Sequence, residues 1–219
     1  MKGRENEKKF IILISLFMIL SLSACSDDRK KEETVEEEAA AEETENADME
    51  NENSEMEGKI LVVYFSWSGN LDKMAHWVAE ETGGDLYRVI PFDPYPDDYN
   101  ATADRAKREQ DDGVRPEIDI DISEEQMSEY ETVFFGFPVW WYDLPMSMWT
   151  FLESYDLSGK TIFPFFSHEG SSNGANALSR IKELAVGADV RSDDALSIRG
   201  RNVEGSKSDV IEWIDQLNY

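Results

Sequence analysis

The chain has 219 residues, with 47 Asp and Glu against 21 Lys and Arg, for a formal net charge of −26. That balance argues against nucleic-acid binding, which needs a basic face, and no RNP, helix-turn-helix or zinc-finger pattern occurs. The single cysteine, Cys25, excludes an intramolecular disulfide, and with only two histidines it leaves no ligand set for zinc or iron.

Lys2, Arg4, Lys8 and Lys9 form a positive start, and residues 10–22 are an apolar run broken only by Ser15 and Ser21. The run is shorter than the ~20 apolar residues of a membrane span and has the layout of a secretory signal peptide. Leu22-Ser23-Ala24-Cys25 resembles a bacterial lipobox. That resemblance implies removal of residues 1–24 and lipidation of Cys25, which would hold the protein on the outer face of a bacterial membrane. An uncleaved N-terminal anchor with an incidental cysteine is the alternative. Residues 25–58 are dominated by Glu and contain no aromatic residue. Such a segment cannot bury enough apolar surface to offset the entropy of ordering, so a disordered, extended tether is expected. An acidic interaction tail is the other reading.

Residues 59–219 fit one domain with a substantial core. Residues 59–65 are a continuous apolar strand, as expected when both sheet faces are covered. Residues 71–82 place Leu71, Met74, Ala75, Val78 and Ala79 on one helical face, and Gly83-Gly84 ends the helix. Residues 85–90 read as a shorter strand, 91–99 as a Pro- and Asp-rich loop, and 101–110 as a helix stopped by Asp112-Gly113. Residues 132–137 are a third strand. Pro145 suits the first turn of a helix ending near Tyr155. Residues 160–166 form a fourth strand, 176–184 a helix and 195–198 a short fifth strand. Residues 207–217 are a terminal helix with Val210, Ile211, Ile214 and Leu217 inward. Alternating strands and helices predict an α/β fold: a parallel sheet with helices on both faces. Ligands of such sheets bind at the carboxyl ends of the strands.

Three loops leave those ends. The first holds Ser66, Trp67, Ser68, Gly69, Asn70 and Leu71. Its hydroxyls, its amide and the N–H groups of the following helix suit a phosphate. It is neither a Walker A loop nor a GxGxxG fingerprint, because the lysine and the glycine spacing are missing. The same residues could form a plain turn with Ser or Asn as N-cap. The second loop carries Pro138, Val139, Trp140, Trp141 and Tyr142. Three adjacent aromatics cannot all enter the core, so one of Trp140 and Trp141 should be core and one available, with Trp141 and Tyr142 the better candidates to stack on a planar ring. The third loop holds Ser167, His168, Gly170, Ser171 and Gly174. It can turn backbone N–H groups toward the edge of a flat heterocycle, or it is a flexible turn capped by Asn173. His168 could donate to such a ligand or serve as a proton source, or be an exposed loop histidine. His76 reads as a surface helix residue. No GxSxG elbow is present.

Tyr64-Phe65-Ser66-Trp67-Ser68-Gly69-Asn70 resembles the phosphate-binding loop of the flavodoxin family, and Phe137-Pro138-Val139-Trp140-Trp141 the loop that covers its flavin. Residues 166–174 are similar to its second flavin loop. Pro94-Tyr95-Pro96-Asp97-Asp98-Tyr99, a helix and Arg115-Pro116 resemble one branch of the family. The resemblance spans nearly all of residues 59–219. It implies a three-layer fold, a five-stranded parallel sheet in the order 2-1-3-4-5, FMN as cofactor and a redox function. Leu71 stands where the family has Thr, which implies weaker FMN binding. No Lys or Arg lies in the three loops. An anionic reduced flavin would then have no cation beside it, and its reduction potential should fall below that of the free cofactor. Three functions follow. One is an electron carrier serving a redox partner protein. Another is an FMN-dependent reductase of quinones or similar small acceptors. The last is a tethered binding module without cofactor.

Overall fold

The computed structural model describes residues 58–170 and 172–219. The expectations for the signal peptide, Cys25, the acidic segment and Ser171 fall outside those residues. Among the described residues, no helix is long and apolar enough to cross a membrane.

In chain order the elements are β1 (Lys59–Tyr64), α1 (Asn70–Thr82), β2 (Asp85–Arg88), β3 (Ile90–Pro91), α2 (Tyr99–Asp112) and β4 (Ile118–Asp119). Then come α3 (Glu124–Ser128), β5 (Tyr130–Pro138), α4 (Met146–Ser154), β6 (Thr161–His168) and α5 (Ala175–Leu184). The chain finishes with β7 (Asp189–Val190), β8 (Leu196–Arg199) and α6 (Lys207–Asp215). The main sheet is parallel, in the order β2-β1-β5-β6, with β7 and β8 sharing the outer edge of β6. This is the expected 2-1-3-4-5 order with its fifth position divided. β7 pairs with Thr161 and Ile162, and β8 with residues 165–168. Pro164 lies in the gap and has no N–H to give to a neighbouring strand.

Side chains alternate between two cores. Leu61, Val63, Val133, Phe135 and Phe166 pack with Met148, Phe151 and Leu152 of α4 and Ala177 and Ile181 of α5. Val62, Tyr64, Phe134, Phe163 and Phe165 pack with Leu71, Met74, Ala75 and Val78 of α1 and Val210 and Ile214 of α6. Burial on both faces explains the unbroken apolar runs. Each such large side chain contributes roughly 1.5–3 kcal/mol of transfer free energy. Ile211 and Leu217, expected inward, are only partly buried, and α6 ends before Leu217.

The segment between β2 and β5 departs most from expectation. Ile90 leaves the predicted strand and, with Pro91 from the predicted loop, pairs antiparallel with Asp119 and Ile118, forming a separate ribbon. Helix α2 starts earlier than predicted because the Asp98 side chain caps it, accepting from Ala101 N–H at 2.8 Å. The loop before α2 is clipped down. Tyr95 Oη donates to buried Glu109 at 2.6 Å, and Arg105 donates to Glu109 at 2.7 Å and to the Pro94 and Asp93 carbonyls. Burial and the Glu109 hydrogen bond push the Tyr95 phenol far above its ordinary range.

Candidate functional site

The three loops meet at the carboxyl ends of β1, β5 and β6 around a cavity of about 300 Å³. Of the predicted residues, Trp67, Ser68, Asn70, Pro138, Val139, Trp140, Trp141, Tyr142, Ser167 and His168 line it. Ser66, Gly69, Leu71, Gly170 and Gly174 do not, and each has another task.

Ser66 is buried, and its Oγ accepts from Gly69 N–H at 3.2 Å, so the hydroxyl shapes the turn. Gly69 takes φ 90°, a left-handed conformation, and stands at the N-cap of α1 with no side-chain cap. The first N–H groups of a 13-residue helix, including those of Asn70 and Leu71, therefore open toward the loop without a side-chain acceptor. Leu71 lies on the inward helical face expected of it. Its side chain is 1% exposed and packs in the core beneath α1, so it offers a potential ligand only its backbone N–H. Restoring the family's hydroxyl with Leu71→Thr should cost about 2–3 kcal/mol, since it removes buried apolar volume and buries a hydroxyl. Chemical denaturation checks this, and an unchanged midpoint would show that the position is not part of the core.

The second loop divides as expected. Trp140 is half-buried, edge-on to Phe65 at 5.4 Å and to Tyr95 at 5.0 Å. Trp141 is 45% and Tyr142 54% exposed. Trp140 and Asp143 exchange two backbone hydrogen bonds of 2.9 Å, closing a two-residue turn. Its central residues, Trp141 at φ 48° and Tyr142 at φ 69°, are the only non-glycine residues with positive φ among those described. Such turns normally hold Asn-Gly, and a left-handed non-glycine residue costs roughly 1–2 kcal/mol. Two anchors hold the turn. Trp141 Nε1 donates to Ala103 O on α2 at 2.9 Å, and Asp143 lies 3.6 Å from Arg180.

In the third loop Ser167 O accepts from Val139 N–H at 2.8 Å, joining loops two and three. Gly174, at φ 75°, is the N-cap of α5, and a Cβ there would fall 2.5 Å from the Phe166 ring. Asn173 accepts from Ala175 N–H at 3.2 Å, just outside the helix.

Helix α2 supplies a further wall through residues not singled out in the sequence: Tyr99, Thr102, Ala103 and Ala106 line the same cavity. The expectation that no cation stands near the loops fails. Arg88 is opposite Tyr64 in the β1–β2 register, and its Nη2 donates to Ser66 O at 2.7 Å. Arg199 is opposite His168 in the β6–β8 register and packs on Gly170. Both guanidinium groups come from neighbouring strands, so inspection of the loops alone misses them. Arg88 is countered by Asp72 at 3.6 Å, which also accepts from Tyr64 Oη at 2.8 Å.

The sequence model of the flavodoxin family matches residues 59–217. No curated protein matches the chain. Among solved structures, a candidate flavoprotein from Bacteroides uniformis ATCC 8492 is 32% identical and aligns over 73% of this chain and 99% of its own, with a TM-score of 0.61. A second, from Bacteroides eggerthii DSM 20697, is 30% identical over 72% of this chain and 96% of its own, with a TM-score of 0.58. A flavoprotein from Lactobacillus acidophilus NCFM, solved in complex with FMN, is 27% identical over 72% of this chain and 99% of its own, with a TM-score of 0.55.

Proposed function

The chain belongs to the flavodoxin family, and from that premise we propose that its cavity holds FMN and that the protein transfers electrons while tethered to a membrane through Cys25. The observation that carries the cofactor reading is the convergence of three loops on one cavity, beside a helix N-terminus without a side-chain cap. The residues fit the group. Ser68, Asn70 and the first N–H groups of α1 present neutral donors to a phosphate, and the helix dipole favours its charge. Trp141 and Tyr142 present rings to a planar heterocycle. The aromatic loop and α2 line the cavity with largely apolar side chains. FMN, when bound, supplies the redox chemistry, and the protein binds it, orients it and sets its electrostatic surroundings.

Two things support the tether: the lipobox-like Leu22-Ser23-Ala24-Cys25, and the acidic stretch that follows it. A redox partner protein or a small acceptor would be met outside the cytoplasm. The α2 wall favours a second reading, an FMN-dependent reductase of quinones or similar planar acceptors, because Tyr99, Thr102, Ala103 and Ala106 could bound a substrate slot. The visible absorbance of oxidised flavin in the purified protein, before or after reconstitution with FMN, tests the proposal. A colourless protein that cannot be reconstituted would overturn it and favour a cofactor-free binding module.

A further inference from the structure

The two histidines of this chain are held in opposite ways. His76 Nδ1 lies 2.7 Å from the Asp72 carbonyl oxygen. A carbonyl only accepts, so Nδ1 of His76 carries a proton. In the third loop the relation is reversed. Gly170 N–H donates to His168 Nδ1 at 2.9 Å, so Nδ1 of His168 is the bare nitrogen and the neutral ring carries its proton on Nε2.

The loop is built to keep it so. The Gly170 N–H turns back onto the side chain two residues earlier, as in an Asx-turn, and Gly170 itself then takes φ 97°, a conformation that suits glycine. Arg199 packs on the other side of Gly170, with its guanidinium carbon 3.2 Å from where a Cβ would stand. His168 lines the cavity shared by the three loops, and no partner for its Nε2 is found among the described residues. With Nδ1 turned back onto its own loop, the remaining polar edge of the ring is an N–H donor.

We propose that His168 presents its Nε2–H as a fixed donor to an acceptor atom, a carbonyl oxygen or an unprotonated ring nitrogen, on the polar edge of the planar ligand in the cavity. This rests on the FMN reading and adds a side-chain donor to the backbone donors of that loop. A neutral imidazole held in this tautomer donates and cannot accept, so it selects ligands whose edge offers a lone pair at that point.

Long-range proton–nitrogen correlation on untagged, 15N-labelled apoprotein, at a pH well above the usual imidazole value of ~6.5, reads both tautomers directly. The chain contains two histidines, so the spectrum holds two ring patterns, and His76→Gln assigns them. The expected result is a proton on Nε2 for His168 and on Nδ1 for His76. Two variants then separate the two edges of the ring. His168→Asn keeps an acceptor for Gly170 N–H and removes the distal donor. His168→Gln keeps a donor near Nε2 and removes the inner acceptor. His168→Asn should weaken FMN binding about tenfold, the loss of one hydrogen bond of about 1.4 kcal/mol, and His168→Gln by less than about threefold. A proton on Nδ1 of His168, or equal losses in the two variants, overturns the donor role while FMN binding by the wild type stands. A wild type that takes up no FMN overturns both this assignment and the cofactor reading.

Discussion

Replacing Asn70 by Asp is expected to lower FMN affinity by on the order of a hundredfold or more, about 2.8 kcal/mol, without weakening the fold. Asn70 is the first residue of α1 and lines the cavity. A phosphomonoester carries close to two negative charges at neutral pH. Two unit charges ~4 Å apart repel by about 4 kcal/mol at an effective dielectric near 20, and partial exposure reduces that figure. The same carboxylate in the first turn of a helix interacts favourably with the macrodipole, by roughly 0.3–1 kcal/mol. Stability and affinity should therefore move in opposite directions. Riboflavin, which has no phosphate, is the control and should bind variant and wild type alike. Fluorescence titrations with both ligands decide the matter. Equal losses for FMN and riboflavin would mean that the loop itself was disturbed, and no loss for FMN would put the phosphate elsewhere.

Gly136→Ala should be severely damaging for a single methyl group, costing about 3 kcal/mol or more. Gly136 lies in the middle of the sheet, paired with Tyr64 on one side and Phe165 on the other. A Cβ at this position would fall 2.3 Å from Phe165 Cζ and 2.9 Å from Tyr64 Cβ. Phe165 is fully buried in the α1/α6 core and has no free volume into which to retreat. In an open strand the same change would stabilise, because glycine loses more backbone freedom on folding, so the sign itself is diagnostic. For a domain of this size the loss corresponds to a fall in Tm of roughly 6–12 °C. The strand runs two residues further to Pro138 at the cavity, so ligand affinity should fall with stability. A thermal scan showing no loss would mean that the Phe165 ring does not occupy the space above Gly136.

The legible parts of the fold were the elements with room to repeat a pattern. Three strands stood out because both of their faces are buried, which leaves no polar residue to interrupt them. What stayed hidden was short: the two-residue strands β3, β4 and β7 are held by partners distant in sequence. Helix α3 also stayed hidden: Ser123 and Gln126 form a reciprocal capping box, but five residues give no periodicity to find. At the site, the loops could be named because each follows a buried strand. Nothing in the composition of α2 tells Thr102, Ala103 and Ala106 to turn toward the cavity, since that depends on how the loop before it is clipped by Tyr95, Arg105 and Glu109. Arg88 and Arg199 arrive through cross-strand register. Leu71 was legible as a core residue because it falls on the same helical face as Met74, Ala75 and Val78.

The tight turn at Trp141 and Tyr142 sets stability and ligand binding against each other. Both residues hold backbone angles that glycine or asparagine would adopt with less strain. A library of variants sorted only for heat resistance would therefore be drawn to replace these two rings, and the survivors would be hardier proteins with an open, featureless cleft. The same library sorted for ligand retention would keep the rings and accept the lower melting temperature. Positions 141 and 142 are thus where an engineer must decide which property to optimise.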